Sequence, residues 1–453
     1  MQTYGNKKNF VDYIFWIVLI IFTNPGGILE ALGEDSSDGG INVTDLLFGV
    51  LAICFVLVFN KNVFFKDKSF IKISKYLLIF YLYYLIVFCF FVPQFKDSPD
   101  YSVLATITKI RHGVINMFLV PIVYIFYLRS YKLFFKFLAA SSIAVIILFL
   151  ITVLLGVDIL PAEISDRGFV SINRLIMISY GLMPLLIPMG VVMLTFNFKV
   201  ENKTLILIAS LLMVTNWILS LIRREIISVI ILFILAYLIR NYIYRKHLIE
   251  LKKMFSMVFY FIILIAMIKV TLPKYFDAVV VSMEESYYTV VHGRSTVGYK
   301  DARLGFGKRA LQEKIKQNYI IGTGFDNKWR VSEMAGYEAS DYPFLAAIAM
   351  AGIIGLFFFL PVYIQIIKNV YRDLKYLRKS GISLKSLESY GLILFITYFI
   401  FDLAIYVYWF LPFSLFTHGG HHKWYIFLAM YFGARMSFYG QTQNKLKNNY
   451  LNN

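Results

Sequence analysis

Cysteine is nearly absent: Cys54 and Cys89 are the only two in 453 residues. Both lie in apolar runs, where a thiol behaves as a small hydrophobe, so neither a disulfide framework nor a cysteine metal site is available. Charge is scarce as well. Charged residues make up 16% of the chain against 59% hydrophobic and 18% aromatic, with a mean hydropathy of +0.67. A soluble globule has no core large enough to hide that much apolar surface. The alternating pattern of a membrane barrel is missing too, since runs such as 139–155 and 226–239 are almost continuously apolar. Helices are the spanning structure such runs can form, because a helix satisfies its backbone groups internally. No Gly-rich phosphate loop and no Asp-x-Asp pair in an outer connection is found, which argues against a nucleotide-sugar or ATP substrate.

What the chain has in abundance is span-length apolar sequence. About twelve such segments follow one another, centred near Ile20, Ala52, Tyr83, Val120, Ile146, Met183, Leu212, Phe233, Leu264, Leu356, Tyr398 and Leu428. The first, 10–29, is longer than a signal-peptide core and lacks a small-residue cleavage site, so it is expected to be retained. If the N-terminus with Lys7 and Lys8 is cytoplasmic, the even-numbered connections carry Lys61, Lys66, Lys68, Lys72 and Lys75, then Arg129, Lys132 and Lys136. Further on they carry Arg240, Arg245, Lys246, Lys252 and Lys253, then Lys368, Arg372, Lys375, Arg378 and Lys379. With the tail included, about 26 basic residues fall on that side against about 8 in the short outer connections, as the positive-inside rule expects. The formal charge of +18 is therefore mostly topology. It is dispersed over short loops that face anionic lipids, not gathered into one patch, and no nucleic-acid partner is expected.

This topology divides the chain into nine membrane helices in 1–271, one large external loop in 272–341, and three helices with a cytoplasmic tail in 342–453. The loop holds about ten basic and nine acidic residues, a near-neutral balance that suits a folded segment. Within it, 302–318 patterns as an amphipathic helix, with Leu304, Leu311 and Ile315 on one stripe and Arg303, Lys308, Arg309, Lys314 and Lys316 around the other face. A Gly-marked turn follows at Ile321-Gly-Thr-Gly-Phe. Asp341-Tyr-Pro-Phe then leads into the tenth span, with Pro343 in its first helical turn.

Positive charge also stands where the rule disfavours it. Arg223 and Arg224 mark the outer break of a tight hairpin between the seventh and eighth spans, Arg111 opens the fourth, and Arg174 opens the sixth after Arg167 in the preceding connection. Adjacent arginines at membrane depth are costly unless they face a cavity or an anion. Singly, each is explained by snorkelling, and the pair by Glu225 as a local partner. Together they match a phosphate or pyrophosphate, which a guanidinium fork holds bidentately. His418, His421 and His422 share the last outer connection. Their spacing suits a metal only on a helix, and Gly419-Gly420 breaks one there, so no metal is expected and they stand as acceptor-side candidates.

The order of these elements resembles the Wzy-type O-antigen polymerase and O-antigen ligase superfamily. The residues that carry the resemblance are the hairpin Ser220-Leu-Ile-Arg-Arg, the large loop before the tenth span, and within it Arg303-Leu-Gly-Phe-Gly-Lys-Arg-Ala-Leu-Gln-Glu-Lys-Ile followed by Ile321-Gly-Thr-Gly-Phe. Phe344-Leu-Ala-Ala-Ile-Ala-Met-Ala-Gly-Ile-Ile-Gly then opens the next helix. The motifs cover 220–360, and topology alone supports the rest. The resemblance implies an all-α polytopic membrane protein of about 12 transmembrane helices, GT-C-like, in the bacterial plasma (inner) membrane. Both termini would be cytoplasmic, with an active site on the periplasmic side acting on undecaprenyl-pyrophosphate-linked oligosaccharide. One departure matters: where the ligases carry a His-Asn pair before the tenth span, this chain reads Asp341-Tyr342, which favours a polymerase.

Glycan transfer from a polyprenyl pyrophosphate to a sugar hydroxyl requires stabilisation of the departing pyrophosphate and a base for the hydroxyl. Arg223, Arg224 and Arg303 are the candidates for the first task, with Arg111, Arg174 and Arg309 behind them. Asp341 is the leading base and Glu338 the second, although a carboxylate at that junction equally suits a helix N-cap. Neither cofactor nor metal is expected. The partners are the lipid-linked oligosaccharide, membrane lipids and, in systems of this kind, a chain-length regulator. Two alternatives stay open. One is a ligase passing the glycan to a lipid A core or other acceptor; the other is a flippase or transporter, in which charge sits mid-span and helices are broken in pairs.

Overall fold

The computed structural model describes residues 10–31, 42–61, 67–87, 103–155, 159–167, 170–177, 179–198, 200–220, 223–245, 318–322, 343–380, 386–406 and 422–451, with isolated positions between 266 and 284 and at 312, 315 and 316. The helices are α1 Phe10–Phe22, a single turn α2 Ile28–Ala31, α3 Val43–Val58, α4 Lys68–Ile86, α5 Val103–Leu155, α6 Leu186–Phe196, α7 Lys203–Leu219, α8 Arg223–Ile243, α9 Pro343–Ser380, α10 Leu387–Tyr406 and α11 His422–Leu451. Helix stands at every expected span except the ninth, near Leu264, which lies outside the described residues. Two of these helical stretches, Val114–Val153 and Ala351–Lys379, are long and apolar enough to cross a membrane.

The protein is predominantly helical but not all-α. Between α5 and α6, β1 Ala162–Arg167 pairs antiparallel with β2 Val170–Met177 in a register that sets Ser165 opposite Arg174. Arg174 therefore lies in a strand, not at the head of the sixth span. Val170, Ile172 and Ile176 occupy alternate positions of β2 with Arg174 at the one between, so the strand period is only partly written in the sequence.

Three further differences have a common cause. α1 stops at Phe22, earlier than the expected 10–29, because Asn24 turns left-handed (φ 53) ahead of Pro25 and Gly26. Conversely, 368–379, expected as a basic connection, is helical throughout, while 129–136, expected as another, is helical except for a break at Ser130. Neither contains Gly or Pro, and charge alone does not stop a helix. In α5 only Ser130 leaves the helical region (φ −148, ψ 32). Contacts with α1 change direction across it. Before the break Phe126 stacks on Phe15 and Arg129 pairs with Asp12 at 3.1 Å; beyond it Phe137 meets Tyr13 and Val145 lies against Gly26. One arm thus runs antiparallel to α1 and the other parallel.

α10 is central: its residues 390–397 are buried all round, and it packs on α6, α8 and α11. Tyr127 of α5 wedges against Gly391 of α10 and Gly433 of α11, where any Cβ would stand 2.5–2.6 Å from its ring or hydroxyl. Small residues let helices approach this closely. Several of the described basic residues are gathered at one end of the bundle. There Arg435 pairs with Asp373 at 2.9 Å, Tyr431 and Tyr439 donate to the same carboxylate at 2.7 and 2.8 Å, Tyr131 bonds Glu388, and Arg245 reaches the carbonyl of Arg378.

Candidate functional site

The opposite end is reached by following α8 from Arg245 back to Arg223, about 30 Å at 1.5 Å per residue. Here α7 ends in a Ser220 whose N–H and Oγ both donate to the carbonyl of Asn216, at 2.9 and 2.8 Å. That serine is fully buried, and its Oγ lies 3.1 Å from the hydroxyl of Tyr180. Tyr180 belongs to the segment that leaves β2. Its neighbour Ser179 accepts from Gly26 at 2.7 Å, and Gly181 (φ 47) nestles on Thr23 at the end of α1. The elbow between α7 and α8, the hairpin and the end of α1 therefore form one connected surface, with β2 lying beside α7.

Arg223 and Arg224 are the first two residues of α8, directly after the elbow. Their positions and that of Arg174 in β2 come to the same end of the bundle. Arg111 falls inside the first arm of α5, two turns beyond its start at Val103 instead of opening the span. Arg303, Arg309, Glu338, Asp341, His418 and His421 lie outside the described residues, and His422 begins α11.

A second element of this end was only half legible. The turn 318–322 closes with Gly322 (φ 90), its N–H bonded to the carbonyl of Asn318 at 3.0 Å, and Ile321 N–H bonds the Asn318 side chain at 3.2 Å. Gln312, Ile315 and Lys316 before it are helical; Ile315 is half-buried against the core, while Gln312 and Lys316 are exposed. These three positions follow the expected amphipathic pattern. The turn docks on α9, where Gly352 breaks the helix with φ 67 and ψ 179. A break orphans backbone groups, which lipid cannot satisfy. Here Ile353 and Ile354 donate to the carbonyls of Tyr319 and Ile320 at 2.9 and 3.1 Å, and Tyr83 of α4 donates to the carbonyls of Ile321 and Ala351 at 3.2 and 3.0 Å. The turn 318–322 is thereby held to α9 by main-chain bonds.

Two residues of chemical interest escaped the sequence reading. Asp402 is 7% exposed inside α10; a lone carboxylate in the run Phe399-Ile-Phe-Asp-Leu-Ala-Ile was the signal, since ionisable groups within apolar spans are costly and commonly functional. Asn216 is 1% exposed beneath the elbow, and nothing in the sequence sets it apart from an ordinary asparagine. No protein-family model matches the chain, and no curated protein matches it.

Proposed function

We propose that this protein is a polytopic membrane glycosyltransferase, crossing the bacterial plasma membrane about twelve times, that polymerises lipid-linked oligosaccharides at the outer face. What supports the reading is the backbone placement of Arg174 in β2, which packs beside α7, and of Arg223 and Arg224 at the head of α8, together with the docking on α9 of the turn that follows the Arg303 segment. An acceptor sugar hydroxyl attacks the anomeric carbon of the growing glycan; the bond from that carbon to the pyrophosphate oxygen breaks, and the negative charge leaves on undecaprenyl pyrophosphate. Arg223, Arg224 and Arg303 hold that charge, with Arg111, Arg174 and Arg309 supporting them, and Asp341 or Glu338 takes the hydroxyl proton. Fixed cations at a developing anion contribute about 10²–10³-fold each.

Purified protein in nanodiscs, given undecaprenyl-pyrophosphate-linked repeat units, is expected to yield ladders of increasing length. Arg223→Ala combined with Arg303→Ala is expected to abolish them, and normal ladders from that variant would exclude the pyrophosphate grip. Single-transfer products indicate the ligase. A second reading, the flippase, is favoured by two observations, the broken helix at Gly352 and the intramembrane Asp402, and predicts substrate moved across the bilayer without covalent change.

A further inference from the structure

One turn beneath the α7–α8 elbow lies a group that the fold does not use. Asn216 is 1% exposed, and both Nδ2 and Oδ1 are buried without a hydrogen-bond partner among the described residues. Its carbonyl is fully engaged by Ser220, so the side chain alone is idle. An unsatisfied buried polar group destabilises the fold, whereas an apolar side chain of similar shape does not. Retaining a carboxamide here is a cost in stability, and such costs concentrate where function demands them.

The surroundings indicate which function. The i, i+4 spacing puts Asn216 on the same face of α7 as Ser220, whose Oγ meets the Tyr180 hydroxyl at 3.1 Å. Arg223 follows Ser220 by three residues at the head of α8. Carboxamide, hydroxyl and phenol therefore lie just below the head of α8, where the chain carries Arg223 and Arg224. A carboxamide presents donors on one side and an acceptor on the other, which matches a neutral hydroxyl, itself donor and acceptor; a phosphate accepts only, and is matched by arginine.

We propose that Asn216 is a carbohydrate-recognition residue that binds a hydroxyl of the sugar attached to the pyrophosphate, Nδ2 donating to the sugar oxygen and Oδ1 accepting from its O–H, with Ser220 and Tyr180 lining the same site. This rests on the lipid-linked glycan reading above. A site built to bond a hydroxyl discriminates strongly against a ligand that lacks it.

The test is Asn216→Leu in the full-length protein in nanodiscs, with three measurements: thermal midpoint, elongation kinetics, and binding of the undecaprenyl-pyrophosphate-linked repeat unit beside bare undecaprenyl pyrophosphate. The expected result is an equal or higher midpoint, unchanged binding of the bare lipid pyrophosphate, and affinity and kcat/KM for the glycan-bearing substrate about 10–100-fold lower. Asn216→Gln, which keeps the chemistry but lengthens the reach, should fall between. Wild-type glycan affinity in Asn216→Leu overturns the inference, as does a lowered midpoint, which would mark the carboxamide as structural. If the wild-type protein elongates nothing, the polymerase reading fails by itself, and the comparison of the two lipids still decides Asn216.

Discussion

Replacing Gly352 by alanine tests whether the turn 318–322 is fixed to α9. Gly352 has φ 67 and ψ 179, a conformation that residues with a Cβ adopt only under strain of about 1–3 kcal/mol. A Cβ there would stand 2.2 Å from the carbonyl oxygen of Ile320 and 2.4 Å from the carbonyl carbon of Ile321. Both are backbone atoms, so no side-chain rotation relieves the clash and the turn itself must retreat. Retreat removes the bonds from Ile353 and Ile354 to Tyr319 and Ile320, at about 1 kcal/mol each. The docked state is then weakened by roughly 3–5 kcal/mol, and local opening exposes these amides to exchange roughly 10²–10⁴-fold faster. Hydrogen exchange read by mass spectrometry on nanodisc-embedded protein, in peptides covering 318–322 and 353–354, measures this directly. Gly355→Ala is the comparison: its Cβ would meet only the side chains of Ala351 and Tyr83, at 2.6 and 3.0 Å, and a smaller effect is expected. Unchanged exchange at both amides in a folded Gly352→Ala protein would refute the reasoning.

Asp373→Ala strands the Arg435 guanidinium and the hydroxyls of Tyr431 and Tyr439, and is expected to lower stability by about 3–5 kcal/mol in denaturant titrations; a loss below 1 kcal/mol contradicts the buried-pair account. Asp67, ahead of α4, caps the helix by accepting from Ser69 and Phe70 at 2.9 and 3.1 Å, while burial raises its carboxyl above the usual carboxylate range. A raised folded value means that its contribution is most favourable below the ordinary range and is lost as pH rises through the folded value. Asp67→Asn keeps the cap and should flatten that dependence while holding or raising stability near neutrality, whereas Asp67→Ala should cost about 1 kcal/mol; identical pH profiles in wild type and Asp67→Asn would count against the assignment. Asp402→Asn should leave the thermal midpoint equal or higher yet slow elongation or translocation at least roughly tenfold if the buried carboxylate has a task, and full activity would reduce it to a packing residue.

Where the sequence sufficed, the deciding forces were local. Long apolar runs specified helices at every described span, Pro343 marked a helix start, and Ser220-Leu-Ile separated α7 from α8, because backbone satisfaction and chain punctuation act over a few residues. Where it misled, a local signal did not decide topology: the basic run at 368–379, without Gly or Pro, is continuous helix, the run at 129–136 turns at Ser130 alone, and β2 alternates only over its first residues before Arg174. The Gly352 break was visible only as one glycine in Ala-Gly-Ile-Ile-Gly. Its meaning came from Tyr83 and from the turn 318–322, distant in the chain and adjacent in space. Asp402 stood out in the sequence as a lone carboxylate in an apolar run, whereas Asn216 became notable through burial alone, and burial is a sum over every element packed around a side chain. The sequence by itself determined which segments are helical and where chemistry-bearing residues occur along the chain. The tertiary structure decided which of them lie together and which lack a partner, since desolvation and hydrogen-bond satisfaction are fixed by neighbours that no local pattern specifies.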